Sequence, residues 1–156
     1  MAEVHSFGLA ADRLPAIVVG FDGSKTSMRA SAYAVGLARR QRARLVAVYV
    51  GSVAPRCIAV AEPSVGPSIV VEHRHRFEQT AASLRKEAEE LAHEQDISLT
   101  FVATRGDSFT EIHRIAEEVS ADAIVVGAST KAVHRLAGSL AVRLVRAGKW
   151  PVTVIP

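Results

Sequence analysis

The chain has 156 residues, 49% of them apolar, and a formal net charge of +3, which suits one domain with a substantial core. No apolar run approaches the ~20 residues of a membrane-spanning helix. The single cysteine, Cys57, excludes an internal disulfide framework and a cysteine-rich zinc site, and the small charge does not by itself imply nucleic acid.

Residues 1–15, MAEVHSFGLAADRLP, have no sustained periodicity and read as a flexible leader before a domain spanning 16–156. They lack the basic and apolar regions of a signal peptide, so a cytoplasmic location is expected. Ala16 to Phe21 is an unbroken apolar run, the pattern of a strand buried on both faces. Asp22-Gly23-Ser24 makes the turn, and Ser24 or Ser27 is placed to cap the next helix. That helix runs to about Gln41 with Met28, Ala32, Val35 and Ala38 at helical spacing. Arg39, Arg40, Arg42 and Arg44 cluster at its end, where cations offset the helix dipole. Leu45 to Val50 is the second strand, completing a strand–helix–strand unit that predicts parallel pairing.

Gly51 to Val71 is irregular and carries Pro55, Pro63 and Pro67. A long helix is expected from about Glu72 to Gln95, with Phe77, Ala81, Leu84, Ala88 and Leu91 inward and the charges of 85–90 in water. Ile97 to Ala103 is the third strand. Ser108 with Glu111 forms a capping-box pattern, and Phe109, Ile112, Ala116 and Val119 stripe the third helix. Ile124 to Val126 is a second strand buried on both faces. After Gly138-Ser139, Leu140, Val142, Leu144 and Val145 pattern a fourth helix that Gly148 stops. Val152 to Ile155 is the last strand.

Five strands alternating with four helices predict a doubly wound α/β fold with a mostly parallel sheet and helices on both faces. Ligands of such sheets sit outside the carboxyl ends of the strands, at a switch point. The loops after strands one and four are therefore the candidate site, the second being a strand leading through a glycine loop to a helix N-terminus, a natural phosphate site. Familiar motifs fail: Ser24 stands where a P-loop needs glycine before Lys25, and no G-x-G-x-x-G follows the first strand.

Taken together, Ile17-Val18-Val19-Gly20-Phe21-Asp22-Gly23-Ser24, Ala43 to Val50, Gly106-Asp107, Ala121 to Gly127, Gly138-Ser139 and Trp150 to Ile155 resemble the universal stress protein family over about residues 16–156. No single piece is specific; their order and spacing are. The resemblance implies a parallel sheet of order 3-2-1-4-5, of the adenine nucleotide alpha hydrolase-like kind, and often a homodimer. It also implies ATP or another adenine nucleotide, with Mg2+, at Asp22, Val50, Gly127, Thr130, Gly138 and Ser139. The family's ATP-binding members carry G-x2-G-x9-G-[ST] after strand four. Here Thr130 holds the middle glycine position, and ten residues rather than twelve separate Gly127 from Gly138. A β-branched residue resists positive φ, and a shorter loop offers fewer N–H groups to a triphosphate.

The residues keep plainer readings open. Asp22 either holds a nucleoside or caps the first helix, and Gly138-Ser139 either binds an anion or only starts the fourth. Lys131 and Arg135 either assist a phosphate or are ordinary exposed cations. His73 and His75 fall on different helix faces, against a metal pair, and His134 reads as solvated. Ser24, Ser129 and Ser139 show no triad partners. Two functions follow: a nucleotide-binding stress or signalling protein with little or no catalysis, or a nucleotide-free dimeric interaction module. Slow ATP hydrolysis is a third, lacking an identified base. Dimerisation is expected through the edge strand 151–156, because an open apolar edge needs cover. No nucleic-acid or membrane partner is expected.

Overall fold

The computed structural model describes residues 14–53, 66–129 and 140–156. In chain order they form β1 (Ala16–Gly20), α1 (Lys25–Gln41), β2 (Arg44–Gly51), α2 (Gly66–Gln95) and β3 (Leu99–Arg105). There follow α3 (Ser108–Glu118), β4 (Ala123–Gly127), α4 (Leu140–Ala147) and β5 (Val152–Ile155). Every pairing is parallel, in the order β3-β2-β1-β4-β5. This is the doubly wound sheet expected from the alternation, in the order the resemblance implied.

The strand period of two sorts the core into two layers. Ile17, Val19, Leu45, Ala47, Phe101 and Val125 face α1 and α2. Val18, Val46, Val48, Ile124 and Val126 face α3 and α4, against Ile112, Ile115, Ala116 and Leu144. Ile17, Val18, Val19, Ile124 and Val125 lose all solvent exposure, which is why β1 and β4 read as unbroken apolar runs. Burying side chains of this size contributes about 1.5–3 kcal/mol each. The Asp122 carboxylate fixes the register at the start of the central pair by accepting from Ala16 N at 2.8 Å.

Several boundaries and faces differ from expectation. α2 begins at Gly66, not Glu72, because Pro67 falls in the first turn, where its missing N–H has no helical partner to lose. β3 starts at Leu99, two residues late, since Ile97 N is spent on Ala92 O and Asp96 turns left-handed at φ 51° to close α2. On α1, Met28 is 44% exposed and Ala32 is exposed, while Ser27 and Ser31 are buried. Their hydroxyls bond back to Ser24 O and Ser27 O at 3.0 and 2.9 Å, so serine packs as a small, satisfied side chain. On α4, Leu144 alone is fully buried, with Leu140 and Ala141 half-buried beside it; Val142 and Val145 point outward.

The arginine cluster also divides. Arg39 and Arg40 occupy the last turn of α1, and Arg42 is its left-handed cap at φ 52°. Arg44 lies in β2 and donates to Val119 O at 3.0 Å, tying the end of α3 to the sheet. Among the described residues no helix is long and apolar enough to cross a membrane.

Candidate functional site

The chain runs outward from β1 to β2 and β3, then crosses back to β4 and β5, so neighbouring β1 and β4 lead to opposite sides of the sheet. A crevice must open where those two connections diverge. The structure has a cleft of about 370 Å3 there, lined by Asp22, Ser24 and Thr26 after β1, Val48 and Val50 of β2, Gly127 at the end of β4 and Ser129 beyond it. Ser108, Ile112 and Leu140 complete the wall. Three residues singled out in the sequence, Asp22, Val50 and Gly127, thus meet on one surface. Thr130, Gly138 and Ser139, with Lys131, His134 and Arg135, lie outside the described residues.

The β1–α1 corner is built from its own polar groups. Asp22 Oδ1 accepts from Ser24 N at 2.9 Å, and Gly23 supplies the left-handed φ of 77° that lets the chain turn so tightly. Ser24 is the N-cap of α1, its Oγ accepting from Ser27 N at 3.2 Å. Asp22 N donates to Ser27 Oγ at 3.3 Å. Desolvation pushes the Asp22 carboxyl up, but the hydrogen bonds from Ser24 and Ser27 outweigh it and hold the group below the ordinary carboxylate value. No ion pair involves Asp22 among the described residues. It is a carboxylate kept ionised by neutral donors, with acceptor capacity remaining.

Gly127 is explained by packing. A Cβ there would lie 2.6 Å from Thr26 C and 2.8 Å from Ser27 N, distances that a side chain cannot occupy. The end of β4 rests directly on the backbone of the first turn of α1, and glycine permits that approach.

At the β3–α3 corner the expected capping box gives way to a different cap. Asp107, not Ser108, is the N-cap: its Oδ1 accepts from Thr110 N at 3.1 Å and Thr110 Oγ1 at 2.9 Å. Glu111 turns away to accept from Thr104 Oγ1 and Arg114. Arg143 of α4 donates to Asp107 Oδ2 at 2.7 Å. This bond above all, with those from Thr110, overcomes desolvation and lowers the Asp107 pKa to about 2. Ser108 was legible as a cap candidate and not as a cleft residue. It reaches the cleft because α3 crosses back from the sheet edge towards β1 and β4, so the crossover itself was the available signal.

His75 meets Gln79 at 3.0 Å, and the carbonyl of His73 accepts from Arg105. Among the described residues no group of three or more His, Cys, Asp or Glu side chains could hold a metal. A separate void of about 20 Å3 between α1, α2 and the sheet is lined almost wholly by core side chains and offers no chemistry.

The model of the Universal stress protein family matches residues 15–156. A universal stress protein of Methanocaldococcus jannaschii is 30% identical over 141 residues, covering 89% of this chain and 80% of that protein. A universal stress protein family member from Burkholderia pseudomallei superposes with TM-score 0.69 at 28% identity, over 94% of this chain and 98% of the other. UspA from Lactobacillus plantarum does so with TM-score 0.74 at 26% identity, over 94% and 100%.

Proposed function

Because the chain belongs to the universal stress protein family, we propose that it is a non-catalytic stress or signalling protein that binds an adenine nucleotide in the cleft between the β1 and β4 loops. The observation that carries this reading is the meeting of Asp22, Val50 and Gly127 at the switch point. The cleft volume lies in the range of roughly 300–1,000 Å3 usual for small-molecule sites. Val48, Val50 and Ile112 offer an apolar wall to a base, and the Asp22 carboxylate accepts hydrogen bonds from ribose hydroxyls. Phosphates then extend towards the loop carrying Thr130, Gly138 and Ser139. That loop's shortness favours AMP or cyclic AMP at least as much as ATP. Mg2+ arriving with ATP would be held by the phosphates and by water, with Asp22 left to the ribose. Other universal stress proteins of this fold have been solved with cAMP, AMP or dAMP, at identities that carry the fold alone.

One observation favours a second reading, a nucleotide-free interaction module: packing accounts for Gly127 without any ligand. Both readings include a homodimer through 151–156, supported by the exposed Val154 on the edge strand β5. Native mass spectrometry of freshly purified protein, followed by titration with ATP, ADP, AMP and cyclic AMP, separates them. A dimer accepting one nucleotide per chain is expected. An empty dimer that ignores all four at millimolar concentration would replace this reading with the interaction module, and a monomer in sedimentation would remove the dimer from both.

A further inference from the structure

We propose that Arg143, held at rest by Asp107, is the residue that selects for nucleotides with more than one phosphate. The inference rests on the nucleotide reading and deepens it. Asp107 directly precedes Ser108, and Arg143 follows Leu140 by three residues on α4; Ser108 and Leu140 both line the cleft. Helical side chains lean towards the N-terminus, so Arg143 reaches back to the cleft end of α4. Its guanidinium meets Asp107 Oδ2 at 2.7 Å and lies 4.4 Å from the centre of the Phe109 ring. The pair straddles the rim where α3 and α4 begin.

Two features make the pair exchangeable. The Arg143 and Asp107 side chains are 42% and 51% exposed, and water competes strongly for such a bond. A terminal phosphate carries more negative charge than a carboxylate and presents several oxygens to the planar guanidinium fork. Stacking on Phe109 keeps the fork oriented while its partner changes. Among the described residues, Arg114 is committed to Glu111 and Glu118, and Lys149 to Glu117. A nucleotide seated by Asp22 that extends a second or third phosphate to the rim displaces Asp107 and takes Arg143. AMP does not reach it. In a loop short of N–H donors, Arg143 supplies the charge that the missing backbone groups do not.

The test is calorimetric titration of ATP, ADP and AMP into the wild type, Asp107→Asn, Arg143→Gln and Arg143→Lys. Asparagine caps a helix as well as aspartate does, so Asp107→Asn frees the arginine and keeps the fold; a thermal melt of each variant verifies this. Arg143→Gln is expected to lower the ATP-to-AMP affinity ratio about tenfold, the weight of one charge-assisted hydrogen bond. Asp107→Asn raises that ratio a few-fold, Arg143→Lys restores part of it, and AMP affinity stays constant throughout. A ratio unchanged in both Arg143→Gln and Asp107→Asn overturns the inference and leaves the cleft reading standing. A wild type that binds none of the three nucleotides overturns both.

Discussion

Asp22 and Asp107 stand at corresponding corners, each just beyond a strand's carboxyl end and just before a helix, and the fold treats them differently. Asp107 is the cap of α3, and its two oxygens are divided between Thr110 and Arg143. Asp22 leaves the capping of α1 to Ser24, accepts one backbone bond and has no cation beside it among the described residues. A carboxylate consumed by caps and ion pairs is part of the architecture. One held ionised by neutral donors at a cleft is available to a ligand. The same sequence feature, an aspartate between strand and helix, therefore has two outcomes, and the hydrogen-bond partners distinguish them.

The largest expected effect tests the rigidity of the Asp22 corner. Gly127→Ala places a methyl group against Thr26 and Ser27 backbone and should cost about 2–3 kcal/mol in urea denaturation, within the range for overpacking. A loss under about 0.5 kcal/mol, the level of an ordinary surface change, would mean the glycine serves a ligand rather than packing. Next, Asp107→Ala removes a cap and an exposed ion pair and should cost about 1–2 kcal/mol. Asp22→Asn keeps its acceptor oxygen for Ser24 N and should change stability by less than about 0.5 kcal/mol. Equal losses at the two corners would erase the distinction.

A further modest effect is a pH dependence. The hydrogen bond from Arg143 depresses the Asp107 pKa from its ordinary 3.8 to about 2. Its contribution is therefore complete above the unfolded value and is lost as pH falls from about 4 to about 2. Because the side chain is half exposed, screening keeps that contribution to about 1 kcal/mol or less. The wild type and Asp107→Asn should differ most above pH 4 and converge near pH 2; a constant difference would contradict the Arg143 bond.

The doubly wound class was readable because β1 and β4 are buried on both faces and flanked by helices, which leaves unbroken apolar runs in the sequence; the strand order came only with the family resemblance. The switch-point rule pointed to the loops that carry Asp22 and Gly127, and the family resemblance alone added Val50. What resisted reading was decided by local geometry. Asp107 and Ser108 are both good caps, and only backbone angles choose between them. Ser27 and Ser31 look polar and are buried, because each hydroxyl is satisfied within its own helix. Met28 and Val145 look like core and are exposed, because the rotation of a helix about its axis is set by what it packs on. The Arg143–Asp107 bond joins residues 36 positions apart, and no spacing rule pairs them.

The most direct test of the central claim is calorimetric titration of AMP and ATP into the wild type and Asp22→Asn, with a thermal melt of each. The account predicts binding by the wild type, at least tenfold weaker binding by Asp22→Asn, as expected for hydrogen bonds to a charged group, and coincident melts. Equal affinity in the two proteins, or no binding by either at millimolar nucleotide, would contradict it.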